Sequence, residues 1–233
     1  MKTHQQIKTN STGNANEEYR YQLHEQAFDC LEANDHAGFA KCFAKLLKGD
    51  PNEPWIDHLK GFMLSEAEDQ AAAIPLLRRA VKELPNRTAP KVSLGIALLR
   101  NEAYDEAEAV LEAAWVMDPN NFLTLTNLAS VLLTRGEKAC LERAEEMLRR
   151  ADKLMPNDDA ILANLGHALA KQGKKTEAHA FLLRAINLDQ RGEACRRIAE
   201  LYPELEATAK LKLLELKMAE VLPDGLLEPA SRP

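Results

Sequence analysis

The chain has 233 residues, a mass of 26.0 kDa and a formal net charge of −6 at pH 7. Hydrophobic residues make up 45% of it but aromatic residues only 5%, so aliphatic side chains and alanine must form any core, which favours helices over strands. The acidic balance argues against a nucleic-acid-binding protein, and no apolar run reaches the ~18 residues that membrane insertion as a spanning helix requires.

Residues 1–18 are polar and follow no helical or strand period, which predicts a disordered N-terminal segment. They contain no apolar stretch of the kind found in signal peptides, so we expect a cytoplasmic protein. Residues 19–51 predict one helix pair. The four cysteines form no CxxC motif, so we expect neither a disulfide framework nor a zinc module.

From residue 54 to residue 190 the sequence repeats itself with a step of 34 residues, lengthened once to 37. Three sets of residues keep this step. They are Ala73, Ala107, Ala144 and Ala178; Leu77, Leu111, Leu148 and Leu182; and Gly61, Gly95, Ala129 and Gly166. The pattern predicts four repeats, over residues 54–87, 88–121, 122–158 and 159–190.

Each repeat has the pattern of two amphipathic helices, which we call helix A and helix B. In the third repeat, Leu125, Leu128, Ala129 and Leu132 lie at i, i+3, i+4 and i+7, which forms one apolar stripe. A glycine inside a helix costs about 1 kcal/mol relative to alanine. The glycines of the third set therefore indicate that helix A and helix B approach each other closely there.

Repeated helix–turn–helix units with this period resemble the tetratricopeptide repeat family. The best match runs from Asn164 to Gln190, NLGHALAKQGKKTEAHAFLLRAINLDQ, and the resemblance is strong from Pro54 to Gln190 and weak from Tyr19 to Pro51. It implies an all-α fold, a right-handed superhelical solenoid of antiparallel helix pairs. Residues 19–51 would then be a degenerate helix pair, and residues 191–222 C-terminal capping helices.

The C-terminal region predicts two further helices broken at Pro203, followed by a flexible tail over residues 223–233. The expected buried stripe of the last helix consists of Leu211, Leu214, Met218 and Val221. The leucines beside that stripe are Leu213, Leu216 and Leu222. They leave open a second interpretation, in which residues 204–222 form a homo-oligomer or bind a partner.

The family resemblance also implies a binding groove, built mainly by the A helices. Its expected residues are Trp55, His58, Phe62, Val92, Ile96, Leu99, Arg100, Thr126, Asn127, Ser130, Thr134, Ala163, Asn164, His167 and Lys171. This groove would be apolar at its N-terminal end and polar, slightly basic, at its C-terminal end, which suits an extended or helical peptide.

Two alternatives remain open within this groove. The aromatic residues Trp55 and Phe62 are either anchors for a partner or packed against the preceding helix pair. The amides of Asn127 and Asn164 either grip a peptide backbone or are solvated, because an amide offers both a donor and an acceptor. The lysine and asparagine pattern with which cochaperones of this family clamp a terminal carboxylate is absent.

The chain lacks the sequence motifs of common catalytic and metal sites. No HxxxH or HExxH pattern, glycine-rich phosphate loop or nucleophile elbow occurs in it. We therefore expect no enzymatic activity, no metal and no cofactor. The main hypothesis is a protein–protein interaction scaffold that binds a peptide or helical segment of a partner protein. The alternatives are a bacterial secretion or assembly chaperone that shields an apolar segment, and a homo-oligomerising structural protein.

Overall fold

The computed structural model describes residues 3–33, 35–49 and 53–221, and every regular element within these ranges is helical. This confirms the all-α class and the antiparallel helix pairs. The chain divides into two compact units, Met1–Met117 and Asp118–Pro233. None of the helices in the described ranges is long and apolar enough to cross a membrane.

The first unit contains three helix pairs, in which each helix packs most extensively on its pair partner. The pairs are α1 (Thr3–Glu32) with α2 (His36–Gly49), α3 (Pro54–Glu66) with α4 (Gln70–Glu83), and α5 (Thr88–Arg100) with α6 (Tyr104–Met117). One apolar cluster joins the first two pairs: Leu23 and Ala27 of α1 pack with Leu46 of α2 and with Ile56 and Leu59 of α3.

The second unit contains two helix pairs and a C-terminal group that covers the last pair. The pairs are α7 (Phe122–Arg135) with α8 (Lys138–Leu154), and α9 (Asp159–Lys171) with α10 (Lys175–Leu188). The C-terminal group is α11 (Glu193–Leu201), a 3₁₀ turn (Pro203–Leu205) and α12 (Glu206–Val221).

The helices of a pair approach each other closely at the glycines of helix A, as the sequence indicated. A Cβ atom added at Gly95 would lie 2.5 Å from Cγ of Leu111, and one added at Gly166 would lie 2.7 Å from Cγ of Leu182. Both distances are far below van der Waals contact. Glycine at these positions is therefore required by the packing of helix B against helix A.

The N-terminal segment differs from the sequence expectation. Helix α1 begins at Thr3, so residues 3–18, which were expected to be disordered, belong to a helix. No proline interrupts residues 3–32, and the buried Leu23 and Ala27 anchor the C-terminal half of α1, so the helix extends back through the polar residues. The predicted flexible tail, residues 223–233, lies outside the described residues.

Helix α12 buries a different face from the one predicted. Ala209 is fully buried and Leu213 packs against the core formed with α10 and α11, whereas Leu211 and Leu214 are 58% and 54% exposed. The prediction that Leu211 and Leu214 are buried is therefore wrong. The physical reason is the 3₁₀ turn, whose buried Leu205 begins a stripe that continues at i+4 and i+8. The predictions for Met218, Val221 and Leu222 lie outside the described side chains.

Candidate functional site

The first unit presents its A-helix face through α3 and α5, but α1 covers the N-terminal end of that face. Trp55 and His58 are both 0% exposed. The ring of Trp55 lies 5.4 Å from that of Tyr21 and 4.3 Å from that of His24, both on α1. Of the two interpretations of Trp55, the structure supports packing against the preceding helix pair.

Buried histidines join the three helix pairs of this unit through hydrogen bonds. Nε2 of His24 lies 2.7 Å from Nδ1 of His58, and Nε2 of His58 lies 2.8 Å from Oγ of Ser93. Burial lowers the pKa of His58 well below its usual value; it also lowers the pKa of His24, although Glu25 acts in the opposite direction. Both imidazoles are therefore neutral at pH 7.

Sequence reasoning missed this histidine chain, although a signal was present. His24 precedes His58 by 34 residues, which is the repeat period, and Ser93 follows His58 by 35. Equivalent positions in neighbouring repeats are thus in direct contact. The same relation holds for the apolar positions of α1, since Phe28 precedes Phe62 by one period and their ring centroids are 4.8 Å apart.

What remains accessible in the first unit is a small, mainly apolar surface. Phe62, Ile96 and Leu99 are half-buried, whereas Val92 is buried. The exposed Arg100 is already engaged, because its Nη1 donates to the Ser65 carbonyl oxygen at 2.9 Å and to Oε1 of Glu66 at 2.7 Å. Arg100 therefore ties α5 to the end of α3.

In the second unit, the polar side chains of α7 use their donors within the helix. The hydroxyls of Thr126, Ser130 and Thr134 donate to carbonyl oxygens of α7 at 2.8, 3.0 and 2.6 Å. Nδ2 of Asn127 donates to the Leu123 carbonyl oxygen at 2.8 Å. Their oxygen atoms keep acceptor capacity, so this face offers mainly acceptors to a ligand.

Asn164 on α9 has an incompletely satisfied amide. The residue is 4% exposed, and its Nδ2 donates to Oγ of Ser130 over a long distance of 3.4 Å. Its Oδ1 is buried and has no hydrogen-bond donor among the described residues. A buried acceptor without a donor costs about 1–3 kcal/mol. An incoming N–H group would remove this cost.

The C-terminal end of α9 and the helix α11 form a polar cluster. Nδ1 of His167 lies 2.6 Å from the hydroxyl oxygen of Tyr202. Burial, followed by the positive charges of Arg197 and Lys171, lowers the pKa of His167 to about 4. His167 is therefore neutral at pH 7. Sequence reasoning missed Arg197 and Tyr202, although Arg197 follows Ala163 by 34 residues.

Five of the expected groove residues have almost no accessible surface. They are Trp55, His58, Val92, Ala163 and Asn164. His58, Val92 and Ala163 occupy the same position of helix A in the first, second and fourth repeats, whereas Thr126 at this position of the third repeat is half-buried. The expectation that these side chains are open to a partner is corrected by their burial. The other expected groove residues are half-buried or exposed.

The described side chains do not assemble a metal site. No group of three or more histidine, cysteine, aspartate or glutamate residues within the described ranges is arranged to hold a metal ion.

Comparisons with known proteins point to one family. Family models of the tetratricopeptide repeat match residues 64–128 and 160–188. No curated protein matches the chain.

Several solved structures share the fold. One is TTC0263, a thermophilic TPR protein of Thermus thermophilus, with 21% identity and a TM-score of 0.64 over 75% of this chain and 94% of that one. Another is PilF of Pseudomonas aeruginosa, with 18% identity and a TM-score of 0.59 over 90% and 95%. A third is MamA, residues 41 to the end, of Desulfovibrio magneticus RS-1, with 18% identity and a TM-score of 0.54 over 74% and 97%. At these identities the likeness concerns the fold alone.

Proposed function

Because this chain is a tetratricopeptide repeat protein, we propose that it is a non-enzymatic scaffold that holds a segment of a partner protein against its A helices. The partner supplies a peptide or a helix, and no cofactor takes part. Each unit would use the accessible part of its own A-helix face.

The observation that supports this function most directly is the unsatisfied amide of Asn164. Its buried Oδ1 lacks a donor among the described residues, and Ser130, which accepts from Nδ2 of Asn164, is half-buried. Oδ1 is buried in the unbound protein, so the Asn164 side chain must rotate before a backbone N–H of a bound segment can complete its hydrogen bonding. The acceptors on α7 would receive further donors from the same segment.

The first unit would bind a segment through apolar contacts of its own. Phe62, Ile96 and Leu99 lie on the A-helix face and keep part of their surface accessible. Aromatic side chains are enriched at the cores of protein interfaces, where a few residues supply most of the binding free energy. Phe62 therefore remains a candidate anchor, whereas Trp55 is already buried beneath α1.

The proposal is tested by selecting ligands from a phage-displayed library of random 12-residue peptides and measuring their affinities by fluorescence polarisation. We expect Asn164→Ala to weaken a selected peptide by about 3- to 10-fold, the range of one hydrogen bond. Its free energy of unfolding should change little, because the gain from removing a buried unpaired acceptor offsets the packing that is lost with the side chain. Asn187→Ala, on the exposed surface of α10, is the matched control.

Two results would count against the scaffold function. The first is a selection that yields no peptide bound by the folded protein. The second is an Asn164→Ala variant that binds every selected peptide as well as the Asn187→Ala control does.

A second candidate function, self-association, is supported by α12. Leu211 and Leu214 are more than half exposed and lie one helical turn apart, so a second copy of α12 would bury them. Light scattering should then report a dimer that dissociates in the variant Leu211→Gln with Leu214→Gln. A monomeric wild-type protein at micromolar concentration would exclude this candidate. The secretion or assembly chaperone has no comparable supporting observation and stays a prediction.

A further inference from the structure

Two cations on the second unit lack an acidic partner among the described residues. Lys171 ends α9 and Arg197 lies on α11, and both side chains are exposed. Neither makes a hydrogen bond or an ion pair with any residue in the described ranges. Both lie close enough to His167 for their charges to lower its pKa, so they act on one region of the surface.

The helices that form this surface contain few carboxylates. Helix α7 has no acidic residue, and α9 has only Asp159, in its first turn and far along the helix from Lys171. Helix α11 contains Glu193 and Glu200, but neither forms an ion pair with Arg197. The positive charges are therefore available to a ligand.

We propose that the surface formed by Ser130, Asn164, His167, Lys171, Arg197 and Tyr202 binds an acidic segment of a partner protein, with its carboxylates against Lys171 and Arg197. We call this surface the basic face. The inference rests on the proposed scaffold function and names the chemistry of its partner.

The basic face divides recognition between backbone and side chains. Once the buried Asn164 side chain has rotated, its Oδ1 accepts a backbone N–H of the segment, which fixes the register of the segment independently of its sequence. Arg197 and Lys171 read the carboxylates, since charge-assisted hydrogen bonds are about twice as strong as neutral ones. His167 stays neutral, because burial and the positive charges of Arg197 and Lys171 lower its pKa to about 4. Its Nδ1 is paired with Tyr202, and its Nε2 has no partner within the described ranges. Nε2 of His167 therefore offers the segment a neutral polar contact.

The test uses an array of 12-residue peptides in which each sequence is present twice, once with Asp and Glu and once with Asn and Gln. The wild-type protein should bind the carboxylate version of its ligands at least about tenfold more strongly. The variant Lys171→Gln with Arg197→Gln should reduce this preference to less than about threefold.

The matched control is Lys82→Gln with Lys153→Gln, which makes the same charge change on α4 and α8. These two lysines are exposed and have no described ion-pair partner, and the control should keep the wild-type preference. Circular dichroism and a melting curve establish that all variants are folded.

The outcomes separate this inference from the function on which it rests. Equal binding of both peptide versions, or a preference that survives in the Lys171 and Arg197 variant, overturns the inference. If Asn164→Ala still weakens binding to the array peptides in that case, the scaffold function stands. An array on which the wild-type protein binds no peptide overturns both.

Discussion

Replacing Gly95 by alanine tests whether close helix packing explains the glycine register. On helix propensity alone, the change should stabilise α5 by about 1 kcal/mol. The structure predicts the opposite sign. The new methyl would lie 2.5 Å from Cγ and 2.6 Å from Cδ2 of Leu111, whose side chain is fully buried.

Overpacking of this kind costs about 1–3 kcal/mol. After the gain in helix propensity is subtracted, we expect Gly95→Ala to lower the free energy of unfolding by about 1 kcal/mol. Urea denaturation followed by circular dichroism measures the change. Two further variants serve as controls, one that opens the space and one that uses the natural alanine of the third repeat.

In a Leu111→Ala background the space for the methyl is open, so Gly95→Ala should there stabilise the protein by about 1 kcal/mol. In the third repeat Ala129 already occupies the glycine position, so Ala129→Gly should cost about 1 kcal/mol. If Gly95→Ala stabilises the otherwise unchanged protein, or if its effect is the same with and without Leu111, the packing explanation is refuted.

Three other predictions concern stability. His24, His58 and His167 have lowered pKa values in the folded state. Below the ordinary histidine pKa of 6.5, the unfolded chain therefore binds more protons than the folded protein does. The free energy of unfolding should therefore fall below that pH. His58→Gln should make this fall smaller in denaturation at stepped pH, and an unchanged slope would contradict the assignment. Burial alone would raise the pKa of Asp189. Hydrogen bonds from three backbone N–H groups at the start of α11 outweigh this effect, so the pKa of Asp189 is lowered. Asp189→Ala should cost about 2 kcal/mol of unfolding free energy and Asp189→Asn less, since an amide oxygen still caps the helix; equal costs would show that the charge is essential. Asp158 accepts from the Ile161 amide at 2.8 Å as the N-cap of α9, so Asp158→Ala should cost about 1 kcal/mol in the same assay, whereas an unchanged midpoint would argue against the cap.

The repeat period was sufficient to predict the helix pairs, because it records contacts that recur at every step. The A helices from the first to the fourth repeat begin at Pro54, Thr88, Phe122 and Asp159, where the periodicity placed the repeat starts. A contact between helix A and helix B, such as Gly95 with Leu111, constrains both residues at once. That pairing is visible in one sequence.

The candidate site was harder to predict, because accessibility depends on which neighbour covers a position. Trp55 and His58 have the register of groove residues, but α1 packs over them through Tyr21 and His24. Helix α1 matches the family pattern poorly in its own right. The 34-residue steps from its residues to those of α3 were the available signal.

The orientation of α12 could not be read from its leucines. Leu211 and Leu214 form one apolar stripe, and Leu213 and Leu216 lie on another. The 3₁₀ turn before the helix decides between them, because it directs Leu205 into the core and brings Ala209 and Leu213 into line with it. Turn geometry of that kind is not encoded in apolar periodicity.

The hydrogen bonds from His24 to His58 and from His58 to Ser93 make the first three helix pairs non-interchangeable. Helix pairs that met only through similar apolar contacts could exchange places without leaving a polar group unpaired. Here the α3–α4 pair needs a specific polar partner for His58 on each side, His24 on α1 and Ser93 on α5. Deleting the α3–α4 pair, or exchanging it with another, would leave a buried imidazole without its hydrogen-bond partner. Polar pairing therefore fixes the order of these helix pairs in addition to apolar packing.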